Sequence, residues 1–313
     1  MDIDIRPLRQ QDLPQADRIF RLAFGTFLGL PDPLAFAGDA DLVTTRWRAR
    51  PDAALGAYVD DQLVGSNFAA DWGGFGYFGP LTVRPDLWDR GVARRLLAAT
   101  MELFESWRTP QLGLFTFPHS PKHLGLYGKY GFHKHDLTPV MSKPVQAQTS
   151  GAAWSAYSAL APEARAASLS ACRALADAVS SGLDLSGEIR AVAELGLGDT
   201  VLVHDGADLA GFAVCHVGAG SEAGSGALYV KFGAARPGGD AARNFDRLLS
   251  ACEAFAHTRG AEKMVAGVNA ARKDACRAMT ERGFSTVQEG VAMQRPNQPG
   301  HNRPDCFVID DWR

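Results

Sequence analysis

Cysteine is missing from the first 171 residues of this 313-residue chain. The five that follow, at 172, 215, 252, 276 and 306, are odd in number and show no C-x-x-C spacing. That excludes a disulfide framework and offers no zinc-ligand pattern, so scattered reduced thiols in a cytosolic protein are expected, with no metal. Long apolar runs are also lacking, and nothing approaches the length of a membrane helix. The opening MDIDIRPLRQ is charged and alternating, which is not the pattern of a signal peptide. Neither sign of charge dominates: 32 Lys and Arg face 35 Asp and Glu, for a net charge of −3. A general nucleic-acid binder is normally basic, so that class is set aside, although a local basic channel for phosphates stays open. No P-loop lysine motif and no nucleophile elbow occur, which disfavours nucleotide enzymes and serine hydrolases.

What is present is a soluble composition, 46% hydrophobic and 21% charged, in a chain long enough for two domains. The stretch Leu81–Leu97, LTVRPDLWDRGVARRLL, organises the first half. Leu81, Thr82 and Val83 read as a short buried strand after Gly79-Pro80. Val92, Leu96, Leu97, Met101 and Phe104 then fall at helical spacing, so a helix is expected from about Gly91. Gly91 and Ala93 are small enough for another group to approach the backbone. Open amides and the macrodipole at a helix start favour an anion, above all a phosphate or pyrophosphate, and Arg90 and Arg94 add charge. The letters G-x-G-x-x-G occur earlier, at Gly74–Gly79, but a proline and a strand follow where a dinucleotide site needs a helix. That run is read as a turn-rich strand connection.

Around this centre the spacing predicts a strand at Ile3–Pro7 and a helix capped by Asp12 that reaches about Phe24. An irregular stretch near 31–40 follows. A hairpin of Ala57–Val59 and Leu63–Ala69 turns at Asp60-Asp61, and Gln111–Phe117 is a strand. A short helix carries Leu124 and Tyr127, Gly131 stops it, and Phe132 starts a strand.

Two strings resemble the GCN5-related N-acetyltransferase (GNAT) superfamily. Trp88-x-x-Gly91-x-Ala93 is similar to its acetyl-CoA loop, with Trp88 standing where the family has Gln or Arg. Leu126, Tyr127, Lys129, Gly131 and Phe132 match its closing-helix string in register. The resemblance implies an α/β fold, an α+β mixed and mostly antiparallel sheet flanked by helices. It implies acetyl-CoA as co-substrate, with the pantetheine arm along Leu81, Thr82 and Val83. The loop Trp88, Asp89, Arg90, Gly91, Val92, Ala93 and Arg94 would hold the pyrophosphate, and Tyr127 would serve as general acid.

The second half repeats the order. Gly283-Phe284 follows Gly131-Phe132 by 152 residues, as Leu248-Leu249 follows Leu96-Leu97, so an internal duplication is expected. The reading is two tandem GNAT-like domains, 1–142 and 151–313, joined by a linker at Met141–Gly151. In the second copy the loop Gly233–Asn244 lacks the Gly-x-Gly/Ala pattern, Asp240 would crowd a phosphate, and Met279 replaces Tyr127. That copy is expected not to transfer an acyl group, but to serve as scaffold, pocket wall or homodimer face. The apolar tail His301–Arg313 is expected to dock.

The general base stays open. No glutamate occurs between residues 1 and 101. Asp71, His119 and His123 are the titratable candidates, and a water relay or direct binding of a neutral amine is equally allowed. The function expected is acetyl transfer to a primary amine of a small molecule or protein, with neither nucleic acid nor membrane as partner. The alternative is a non-catalytic acyl-CoA sensor of the same fold.

Overall fold

The computed structural model describes residues 1–146 and 153–313. The first half contains β1 (Asp4–Pro7), α1 (Leu13–Phe27), α2 (Leu42–Ala49), β2 (Ala54–Val59), β3 (Gln62–Trp72), β4 (Phe75–Phe78), β5 (Thr82–Val83), α3 (Val92–Trp107), β6 (Gln111–Thr116), α4 (Pro121–Gly128) and β7 (His133–Pro144). The second contains β8 (Trp154–Ala156), α5 (Pro162–Val179), α6 (Ser186–Glu194), β9 (Gly198–Asp205), β10 (Asp208–Gly218), β11 (Gly224–Ala235), α7 (Ala241–Thr258), β12 (Lys263–Gly267), α8 (Lys273–Glu281), β13 (Ser285–Arg295) and β14 (Val308–Asp310).

The helices form where the apolar period is 3.6. Val92, Leu96, Leu97, Met101 and Phe104 of α3 are all buried. Each fully buried leucine there contributes about 2 kcal/mol. On α1 the same spacing buries Leu13, Ala16, Ile19, Phe20 and Ala23. Asp12 stands at the helix start as expected, but its carboxylate caps nothing there. It accepts from Arg9 and from the Tyr58 hydroxyl instead.

Among the described residues the strands join in one sheet of order β1-β2-β3-β4-β6-β13-β7-β12-β11-β10-β9-β8, with β5 on β3 and β14 on β11. The two halves exchange their long late strands. β13 lies between β6 and β7, antiparallel to both, and β7 pairs in turn with β12. Each half repeats an antiparallel hairpin followed by a parallel pair across a helix: β2-β3 then β4·β6, and β9-β10 then β11·β12.

Several expectations change. Met141–Pro144, expected to open the linker, are the end of β7, held by β12 and β13; residues 147–151 of that linker lie outside the described residues. Phe75–Phe78 of the glycine run is a strand, not a connection, paired with β3 and β6. Gly76 permits this because a Cβ there would stand 2.6 Å from the Phe104 ring. Gly233–Ala235, expected in a loop, finish β11. Helices α2 and α6 were not anticipated: α2 is short and polar, with only Val43 and Thr45 buried. The tail does dock, with β14 on β11 and Trp312 against Phe75 at 4.7 Å between ring centroids.

Charge also crosses the boundary between halves. Arg46 of α2 pairs with Glu222 at 2.8 Å, and Glu222 holds Lys231 at 2.8 Å. Lys231 reaches Glu188 at 3.1 Å, which accepts from the Trp72 indole. Burial alone would raise the Glu222 carboxyl, but Arg46 and Lys231 hold it well below the usual range. Removing one member would leave a buried charge unpaired, a cost of about 3–5 kcal/mol.

Candidate functional site

The site begins where two strands part. β4 and β6 run parallel only over Phe75↔Gln111, Gly76↔Leu112 and Tyr77↔Gly113. After Gly79-Pro80 the chain stays with β3, as Gly65↔Val83 and Ser66↔Thr82. Meanwhile β6 follows β13 out to Thr116. A wedge therefore opens between β5 and the end of β6. Gly65 makes the close approach of β5 possible, since a Cβ there would lie 2.6 Å from the Thr82 carbonyl oxygen.

The wedge leads to the start of α3. Gly91 is the N-cap residue with φ 84°, a left-handed conformation suited to glycine, and no side chain caps this end. The first-turn amides thus face a cleft of about 750 Å³. Leu81, Thr82, Val83, Trp88, Asp89, Arg90, Gly91, Val92, Ala93 and Arg94 all line it. The structure brings all ten residues expected to bind the acyl carrier along one cleft, while Tyr127, expected as the acid, lies in another cavity. β5 itself is shorter than expected and starts at Thr82. Trp88 donates its indole N–H to the Val83 carbonyl at 2.8 Å and so ties the loop to β5. Asp89 is neutralised by Lys122 at 2.7 Å. Arg90, Arg94 and Lys129 leave the cleft with positive charge. Space, open amides and cations together fit a diphosphate.

Tyr127 lines a second cavity, of about 320 Å³, that continues from the first. The phenol is buried and packs 5.8 Å from the Phe78 ring. Burial pushes its pKa up to about 12, so it stays protonated through the neutral range and can donate. The walls of this cavity come from both halves. Phe20 and Phe24 of α1, and Leu28 just after it, stand with Glu222, Tyr229 and Arg313. Sequence reading did not find these residues, because neither spacing nor motif signals that α1 and β11 converge.

The base candidates separate clearly. Asp71 is held by Arg50 at 2.9 Å and by the Gly73 amide, at the far end of β3. His119 is exposed. His123 lines both cavities.

The second half differs where the first is open. β11 leaves its parallel partner β12 after Val230↔Ala266. The place beyond is filled by the chain itself: β14 pairs there as Phe232↔Asp310, Gly233↔Ile309 and Ala234↔Val308. At the start of α7, Asp240 pairs with Arg243 at 3.3 Å.

Residues 18–132 match the model of the acetyltransferase (GNAT) family. No curated protein matches the chain. Among solved structures, a candidate acetyltransferase from Pyrococcus horikoshii is similar with a TM-score of 0.69 and 16% identity, over 99% of this chain and 95% of that one. A GCN5-related N-acetyltransferase from Sphaerobacter thermophilus gives 0.57 and 14%, over 95% and 96%. One from Anabaena variabilis gives 0.54 and 14%, over 94% and 72%. At these identities the likeness is one of fold.

Proposed function

We propose that this protein transfers the acetyl group of acetyl-CoA to a primary amine, with the chemistry confined to the first half, where residues 18–132 match the acetyltransferase (GNAT) family model. The observation that carries the reading is the uncapped start of α3 opening on the wedge between β5 and β6. The amides of Gly91 to Arg94 would receive the diphosphate, and the edge of Leu81–Val83 away from β3 would align the pantetheine arm. A β5 amide would stabilise the oxyanion as it develops. Tyr127 would protonate the leaving thiolate.

The second half is a degenerate copy in this reading. Its slot is taken by β14, and it contributes the far wall of the second cavity. That cavity, of about 320 Å³, suits a small amine better than a protein side chain on a folded surface. The test is release of CoA thiol from acetyl-CoA in the presence of primary amines of graded size. Amine-dependent release supports the proposal. Tight binding of acetyl-CoA without release for any amine would replace it by the acyl-CoA sensor.

A further inference from the structure

The two cavities share four lining residues: Phe24, Leu81, Phe117 and His123. His123 is the one titratable side chain among them. It sits on the first turn of α4, where Ser120 is the N-cap. The Phe27 ring lies 5.0 Å away, near perpendicular, and the Phe117 ring 5.9 Å. These two rings fix the imidazole plane. Nδ1 lies 2.7 Å from the Ser120 hydroxyl oxygen. That oxygen can accept from Nδ1–H, which leaves the Nε2 lone pair free. Among the described residues no hydrogen bond holds Nε2.

From this geometry, and resting on the acetyl-transfer reading above, we infer that the second cavity receives a small primary amine carried on an apolar body, and that His123 is the base that deprotonates it. The cavity walls explain the acceptor class. Phe20, Phe24, Leu28, Phe36 and Phe78 supply apolar surface. The charged groups at its rim are already satisfied: Glu222 by Arg46 and Lys231, and Arg313 by Asp311 at 3.1 Å. A ligand gains there by burying hydrocarbon rather than by meeting a free charge.

The protons balance. His123 Nε2 takes one proton from the ammonium and later returns it to water. The freed nitrogen attacks the thioester carbonyl, the C–N bond forms and the C–S bond breaks. The second nitrogen-bound proton is lost as the amide forms and makes good the one that Tyr127 gives to the thiolate sulfur. Burial lowers the imidazole pKa and Lys122 lowers it further, which favours the neutral, proton-accepting form while making it a weaker base. Lining the first cavity with His123 are Lys122 and Lys129, Asp89 on Lys122, and Arg90 and Arg94, while Tyr127 of α4 lines the second. Across the second cavity are Glu222, Tyr229 and Arg313, while α1 presents only apolar side chains.

The test uses 2-phenylethylamine as probe acceptor. CoA-thiol release is followed from pH 5.5 to 9.5 for wild type and His123→Gln, with calorimetry of acetyl-CoA on both. The inference expects unchanged acetyl-CoA affinity and a loss of about 10²-fold in kcat/KM at neutral pH. That loss should shrink as the pH nears the amine's own pKa and free amine supplies itself. His123→Gln equal to wild type at all pH overturns the base. So does a loss that is uniform in pH, which a merely structural role would give. Acetyl-CoA bound by wild type with no turnover of the probe overturns the acceptor class. Failure of wild type to bind acetyl-CoA instead overturns the acetyl-transfer reading on which this inference rests.

Discussion

At the scale of single residues, two groups give measurable consequences. Tyr127 has its phenol raised to about 12 by burial and its side chain in the second cavity. Tyr127→Phe keeps the ring packing on Phe78 and removes only the proton. Turnover should fall by about 10²-fold while acetyl-CoA affinity stays the same; an unchanged kcat would end its role as acid. His216 is fully buried beside the Glu222 cluster, and burial lowers its pKa to about 4. Between that value and the ordinary histidine value of about 6.5, the unfolded chain binds a proton that the folded one refuses. Stability is therefore lost as pH falls through this window. Urea unfolding should show wild type losing about 2 kcal/mol more than His216→Gln between pH 7 and 4.5. Equal losses would mean that the imidazole is not held neutral.

At the scale of elements, the site depends on β5 staying with β3 while β6 departs. Gly65→Ala would put a methyl group against the Thr82 carbonyl, where only 2.6 Å is free. It should cost about 1–3 kcal/mol and weaken acetyl-CoA binding by displacing β5. Full stability and affinity, measured by denaturation and calorimetry, would show that the register of β5 is not what shapes the cleft. The helix start at Gly91 and the line of Leu96, Leu97, Met101 and Phe104 were legible in the sequence, because a 3.6-residue period and a glycine carry local meaning. The grouping of Trp88 to Arg94 along the cleft was legible for the same reason. The strand at Phe75–Phe78 was hidden, since three glycines around it signal turns while the actual reason for Gly76 is the Phe104 ring packed on it. Helix α2 was hidden by polarity: Arg46 looks like a solvated residue and is in truth buried on Glu222, which is 176 positions away. The second cavity was illegible altogether, because its walls are far apart in the chain.

At the scale of the whole molecule, β7 and β13 cross between halves, each pairing with a strand of the other within the one sheet. Neither half keeps its core if its partner unfolds. Scanning calorimetry should therefore show one cooperative transition, with van't Hoff and calorimetric enthalpies agreeing. Two separated transitions would contradict the exchange. The same architecture accounts for the asymmetry of the proposed chemistry. One half leaves the slot beside its parallel pair open onto a helix start, and the other closes it with β14. Titration of acetyl-CoA by calorimetry tests this most directly. One site per chain is expected, abolished by Gly91→Glu, which sets a carboxylate against the diphosphate, and kept in Gly239→Glu at the matching end of α7. Two sites, or a single site lost in Gly239→Glu and kept in Gly91→Glu, would contradict the account.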